Sequence, residues 1–274
     1  MSPDNRPIGI FDSGLGGLSV LRAVRDQLPD ENFIYIADQI HVPYGPRPKT
    51  EVERLSQGIV RFLVSRDVKL VVVACNTASA ASLKKLRASY PGLPFVGMEP
   101  AVKPAAEETS SGVVGVLATP ATFQGELYNS TVERFAQGVT VLQHTCPGLV
   151  HQIEMGRVAD AETKEILERA LIPMLEKGVD KVVMGCTHYP FVIPLIKEIV
   201  GAEIEVIDPA PAVARQVGRL LDRHDLRAKA GGRGQIQFMT TGDPAEFSRR
   251  LIQLLRLESQ VTRLAWVNGE LVEG

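Results

Sequence analysis

Three cysteines are spread over the 274 residues, and two of them end runs of aliphatic side chains: LVVVAC at 70–75 and KVVMGC at 181–186. Asn76 and Thr77 follow the first; Thr187 and His188 follow the second. A single buried cysteine is most often an inert small hydrophobe, and Cys146, in HTCPGL without a matching copy, is read that way. Two cysteines in matching contexts suggest a different role. A helix N-terminus placed after each would draw the thiol pKa down from about 8.5 toward neutrality. His188 can then take or position the proton of Cys186, and Asp12 can do the same for Cys75. Two opposed thiols suit inversion at a carbon acid, where a base removes a proton from one face and an acid delivers one to the other. The reaction must also run backwards, so near-equivalent groups on the two faces are expected.

Other chemistries fit these residues less well. Cys186 and His188 are zinc-ligand types, but Cys-x-His is an unusual chelate and no CxxC pair accompanies it. The missing CxxC also argues against a redox dithiol, and a Cys–His hydrolase would leave one cysteine idle. A pyridoxal phosphate enzyme needs a Schiff-base lysine. Lys69 and Lys181 precede their strands, at the wrong end of a sheet.

Elements that could position the thiols follow from the pattern of apolar residues. PIGIF (7–11), NFIYIA (32–37), LVVVA (70–74) and PFVGM (94–98) have the continuous apolar character of buried parallel strands. Helical spacing runs through 17–28, 50–66 and 77–89. The series then restarts with GVVGVLA (112–118), VTVLQH (139–144), KVVMG (181–185) and IEVID (204–208). IGIFDS matches VGVLAT, and VVVACNTAS matches VVMGCTHYP, at nearly the same offset. This predicts an α/β protein of two pseudo-symmetric lobes, each a mainly parallel sheet flanked by helices, with the active site in the interlobe cleft. The Pro/Gly/Ser-rich stretch 97–112 is the expected crossing, and DPAPAVA (208–214) the return. The first lobe then comprises 1–97 plus 209–274, and the second 98–208.

Ligands of such sheets bind beyond the carboxyl ends of the strands. That rule selects DSGLGGLS (12–19), DQIHVPYG (38–45), CNTAS (75–79) and CTHYP (186–190). Gly14, Gly16 and Gly17 allow a tight turn and close approach to a ligand. They form neither a dinucleotide fingerprint nor a P-loop. Asp12 and Ser13 are candidate helix caps as well as candidate site groups. None of the four loops carries Arg or Lys, so an anionic ligand would rest on helix N-termini and hydroxyls.

Composition excludes several classes. With 30 Lys+Arg against 32 Asp+Glu the chain gives no electrostatic reason to expect nucleic acid or a membrane surface as partner. No apolar run reaches the roughly 20 residues of a membrane span, and no charged-then-apolar leader opens the chain. A cytoplasmic location with reduced thiols is expected.

FDSGLGGLSV (11–20), HVPYG (41–45), VVACNTAS (72–79), CPGLVHQIEMG (146–156), GCTHYPF (185–191), DPAPAVA (208–214) and TTGD (240–243) resemble the motifs of the glutamate racemase family, and they span nearly the whole chain. The resemblance implies cofactor-independent interconversion of L- and D-glutamate, the small-molecule partner, for peptidoglycan synthesis. It implies Cys75 and Cys186 as the paired acid/base groups, serving the D- and L-enantiomer respectively. Asp12 would assist Cys75, and His188 would assist Cys186. Glu154 occupies a matching acidic position. Asp12, Ser13, Tyr44, Gly45, Asn76, Thr77, Thr187 and His188 would contact substrate, with Thr119 and Thr122 adding hydroxyls. A homodimer is implied as well. Relatives that respond to a cell-wall precursor carry an N-terminal extension; few residues precede the first strand here, so such activation is not expected. A sister racemase acting on aspartate is the nearest rival, against which GCTHYP and HVPYG favour glutamate.

Overall fold

The computed structural model describes residues 3–274. Strands β1 (Ile8–Asp12), β2 (Phe33–Ala37), β3 (Leu70–Val73) and β4 (Phe95–Gly97) are aliphatic and aromatic and almost wholly buried, as strands covered on both faces must be. β5 (Val113–Ala118), β6 (Thr140–His144), β7 (Lys181–Gly185) and β8 (Glu205–Ile207) repeat the series. β9 (Ile236–Thr240), β10 (Val261–Val267) and β11 (Glu270–Glu273) complete the strands among the described residues.

Two sheets result, with orders β11-β10-β9-β2-β1-β3-β4 and β6-β5-β7-β8. Every pairing is parallel except the β10–β11 hairpin. The order β2-β1-β3-β4 in the larger sheet recurs as β6-β5-β7-β8 in the smaller, so the repeat seen in the sequence is a repeat of topology. The register agrees too. Phe11 pairs with Val73 and Leu117 with Met184, and each cysteine stands two positions beyond the second member of its pair. Cys75 and Cys186 therefore occupy equivalent strand ends.

Apolar clusters fill both faces of each sheet. Ile8, Ile10, Tyr35, Val72 and Phe238 pack on one face of the larger sheet, and Phe11, Ile36, Val71, Val73 and Leu63 on the other. Leu117, Val182 and Met184 face one cluster of the smaller sheet; Val114, Val116 and Val183 face its counterpart. The helix Ala210–Arg223 starts at the expected return crossing. It places Val213, Val217 and Leu221 at helical spacing into the core of the larger sheet, against the helix Leu18–Gln27.

Two features differ from the sequence reading. Cys75 is the N-cap of the helix Asn76–Ser89, its sulfur accepting from the Ala78 N–H at 3.5 Å, but no α-helix starts at Cys186. A 3₁₀ turn, Tyr189–Val192, comes first, and the α-helix Ile193–Val200 follows it. The chain after residue 230 also adds three strands that periodicity did not single out. Their residues are largely half-exposed, so the apolar runs that mark buried strands are missing.

Candidate active site

Both thiols line one small cavity of about 20 Å³, together with Ser13, Pro43, Tyr44, Gly45, Asn76, Thr77, Thr119, Val150, Thr187 and His188. That is room for about one water, so any larger ligand enters only if the walls part. Gly45 and Thr77 also line an open cleft of about 560 Å³ with Arg47, Lys49, Ala80, Gln124 and Gly125. Between the two spaces, Thr77 Oγ1 lies 2.9 Å from Thr119 Oγ1, which lies 3.0 Å from Thr122 Oγ1. Cys146 is not a wall of this cavity; its sulfur rests 3.5 Å from His144 Nδ1, and burial pushes its thiol pKa up to about 12.

On the Cys75 side, Asp12 ends β1 fully buried. One carboxylate oxygen accepts the Gly17 N–H at 2.9 Å and the Gly14 N–H at 3.4 Å, so Asp12 does hold the helix start; the other has no partner. Burial raises its pKa against the pull of the His188 charge and the Gly17 N–H. The same burial, reinforced by the neighbouring Asp12 charge, pushes the Cys75 thiol well above its ordinary value. The sequence reading expected the opposite direction. The Ala78 N–H does favour the thiolate, but at a nearly dry strand end desolvation outweighs a single amide. Asn76 is buried at this helix start with both side-chain polar atoms unpartnered.

On the Cys186 side the groups form a chain. Cys186 Sγ lies 3.8 Å from His188 Nδ1, and His188 Nε2 lies 2.6 Å from Glu154 Oε1. Burial alone would lower the imidazole pKa, but Cys186 and Glu154 outweigh it and raise it well above the ordinary value. Burial likewise opposes the Glu154 carboxylate, yet the bonds from His188, the Leu15 N–H at 2.6 Å and the Gln39 amide at 3.2 Å hold its pKa low. A carboxylate paired with an imidazolium is the resulting state.

Two glycines of DSGLGG also make room for side chains arriving from elsewhere in the chain. A Cβ on Gly14 would stand 2.1 Å from Glu154 Oε1, and one on Gly16 2.4 Å from His188 Nδ1. They admit these two side chains of the other half of the chain; Ser19 Oγ, donating at 2.9 Å to the Thr187 carbonyl, joins the same seam.

Tyr44 lines the cavity, but its hydroxyl donates to Asp38 Oδ2 at 2.7 Å and so is committed elsewhere. Asp38, missed in the sequence, is fully buried and also meets His41 Nδ1 at 2.9 Å, Thr241 Oγ1 at 3.0 Å and Trp266 Nε1 at 2.8 Å. A signal existed: Asp38 directly follows a buried strand, as Asp12 closes β1. Lys69 forms a buried pair with Glu31 at 2.5 Å and donates to the Asp4 carbonyl, at the opposite end of the strands from the cavity.

Two like α/β halves, each contributing one cysteine to a shared cavity, define a two-lobed α/β protein. Residues 16–217 match the family described as Asp/Glu/Hydantoin racemase, and the chain belongs to that family. It is 48% identical over 250 residues to the glutamate racemase of Roseiflexus sp. strain RS-1, covering 91% of this chain and 92% of that one. Among solved structures, a glutamate racemase isoform of Bacillus anthracis superposes with a TM-score of 0.85 at 30% identity, covering 97% and 99% of the two chains. The Francisella tularensis glutamate racemase in complex with D-glutamate gives 0.82 at 28%, covering 96% and 98%.

Proposed function

We propose that the protein is a glutamate racemase working by proton transfer between Cys75, Cys186 and the α-carbon. The observation that carries this reading is the pair of thiols at equivalent strand ends on one small cavity; the names of the relatives supply the substrate. In the L-to-D direction the Cys186 sulfur, as thiolate beside the His188 imidazolium, takes the α-proton of L-glutamate and becomes a thiol. The electron pair left on carbon is stabilised by N–H and hydroxyl dipoles fixed before substrate arrives. Cys75, kept protonated by burial and Asp12, gives its proton to the opposite face and becomes the thiolate. The reverse reaction starts from that state. Asp12 and Glu154 act on the thiols, Glu154 through His188. Ser13, Asn76, Thr77, Thr187 and the Gly45 backbone hold the substrate carboxylates and amine; the free polar atoms of Asn76 favour this. Tyr44 contributes through its ring and backbone, since its hydroxyl serves Asp38.

The lobes are residues 1–97 with 209–274, and residues 98–208. Strand order and the packing of Ala210–Arg223 on Leu18–Gln27 support this division; residues 1 and 2 lie outside the described residues. Supply of D-glutamate to peptidoglycan, a cytoplasmic site of action and a homodimer rest on the family resemblance. Among the described residues, no helix is long and apolar enough to cross a membrane.

L-glutamate in D₂O tests the reading: D-glutamate should form carrying α-deuterium, and L-aspartate should react far more slowly. Cys75→Ala and Cys186→Ala should each lower racemisation by about 10³-fold, the scale of lost acid–base catalysis. Parental turnover by either variant would refute the two-thiol mechanism, and preference for aspartate would refute the substrate.

A further inference from the structure

Glu154 presents its two oxygens to different partners. Oε1 takes the Leu15 N–H and His188 Nε2; Oε2 takes the side-chain amide of Gln39 at 3.2 Å. Gln39 opens the short turn after β2, so it belongs to the larger sheet, whereas Glu154 ends the helix Leu149–Glu154 between β6 and β7. The orientation of the amide is set from behind. Thr240 Oγ1, at the end of β9 and fully buried, donates to Gln39 Oε1 at 2.7 Å. The Gly242 N–H occupies a lone pair of that hydroxyl at 3.0 Å, directing its proton at Gln39. A directional chain therefore runs from Gly242 N–H through the Thr240 hydroxyl and the Gln39 amide to the Glu154 carboxylate. From there it reaches the His188 imidazole and the Cys186 sulfur. The helix Pro244–Leu255 secures the same segment by its backbone: Arg250 Nε donates to the Glu154 carbonyl at 3.2 Å, and Gln253 Nε2 to the Gly156 carbonyl at 2.6 Å.

We infer that Gln39, oriented by Thr240, is a positioning residue for the reaction: it commits one Glu154 oxygen to the larger sheet so that the other is held on His188. The inference rests on the proposed role of Glu154 and His188. Its physical content is twofold. An amide donor on Oε2 keeps a nearly buried carboxylate ionised, because an unbonded oxygen there would favour the protonated form. It also restricts rotation of the carboxylate about its terminal torsion, which is intrinsically broad. Without it, Glu154 swings and protonates more readily, and His188 loses the acceptor that fixes its ring toward Cys186. The role passes through two other residues, so binding of substrate is nearly untouched while the proton transfer slows.

The charged and titratable groups that face Glu154 are few. His188 comes from the loop after β7, and Arg250, whose guanidinium pairs with Glu246 at 2.5 Å, comes from Pro244–Leu255. Tyr35 of β2 senses the Glu154 charge, and His151 and Arg157 flank it on its own segment with exposed side chains. Of these groups, among the described residues, His188 alone bonds the carboxylate itself, so loss of Gln39 is read mainly through the Glu154–His188 pair.

The test compares Gln39→Leu, Thr240→Val and Glu154→Gln with the parent, using pH profiles of kcat and kcat/KM in both directions. Gln39→Leu should lower kcat by about tenfold with KM within about twofold, and should move the acid limb of kcat/KM up by about half to one pH unit. Thr240→Val, which keeps shape and removes only the hydroxyl, should shift both in the same direction by less. Parental kcat and an unmoved acid limb in both variants, with Glu154→Gln impaired, would overturn the inference and leave the proposed function standing. Parental behaviour of Glu154→Gln would remove the role of Glu154, and the inference with it.

Discussion

Glu154 and His188 show how few groups hold a charge pair beside Cys186. Each is held in the form that burial opposes, the imidazole charged by Cys186 and Glu154 and the carboxylate charged by His188, which it meets at 2.6 Å. Removing one partner should therefore expose the desolvation cost of the other. In Glu154→Gln the His188 titration, followed by NMR of the ring, should fall from above about 6.5 to below it; a value still raised would show that Cys186 alone holds the proton. The effect on stability has a defined sign. A raised imidazole pKa stabilises the fold below the ordinary value, and the gain is lost as pH rises through the folded value. A lowered carboxylate pKa stabilises above its ordinary value of about 4.3 and is lost as pH falls through the folded one. The pair thus helps most between those limits. Chemical denaturation should show Glu154→Gln less stable by about 3 kcal/mol near pH 6, the range expected for breaking a buried pair, with a smaller difference in acid and in alkali.

Loops beyond the strand ends turn these residues into one site. Residues 12–19 are shaped by what passes over them, for Gly14 lies under Glu154 and Gly16 under His188. Gly16→Ala should displace the imidazole and lower kcat by at least about 100-fold, whereas Gly92→Ala, with nothing within 4 Å of the added carbon, should be silent. Equal activity in the two would mean that the seam can shift without consequence for catalysis. A second loop, 38–45, is tied down by Asp38, whose carboxylate serves His41, Tyr44, Thr241 and Trp266. Asp38→Asn replaces an all-acceptor group by one carrying two donors, and should cost about 3 kcal/mol through a broken buried network. The protein has one tryptophan, so its fluorescence reports on this contact directly. Since the hydrogen bonds keep the Asp38 pKa low, its stabilisation is present above about pH 4 and fades in acid, where parent and variant should converge.

At the scale of the molecule, a cavity of about 20 Å³ beside a cleft of about 560 Å³ is too small for an amino acid, so turnover requires separation of its walls. Ala80 and Gly125 both line that cleft and meet at its wall: a Cβ on Gly125 would lie 3.1 Å from that of Ala80, within a few tenths of an ångström of disulfide geometry. Oxidised Ala80→Cys/Gly125→Cys protein should lose at least about 100-fold in turnover and recover it on reduction; full activity while oxidised would mean that substrate enters elsewhere. The repeat made the topology legible from sequence, because continuous aliphatic runs such as 70–74 and 181–185 mark strands buried on both faces wherever they occur. It also placed both cysteines, Asp12 and His188 at strand ends, where position along the chain is enough. The partly exposed strands β9 to β11 carry no such signal. Nor could the sequence show that Gln39 and Thr240 reach Glu154, or that Trp266 reaches Asp38, since these contacts join segments 115, 201 and 228 positions apart. The direction of the Cys75 shift was likewise a tertiary matter. A helix N-terminus can be read from local residues, but the desolvation that overrides it depends on how tightly the two halves close.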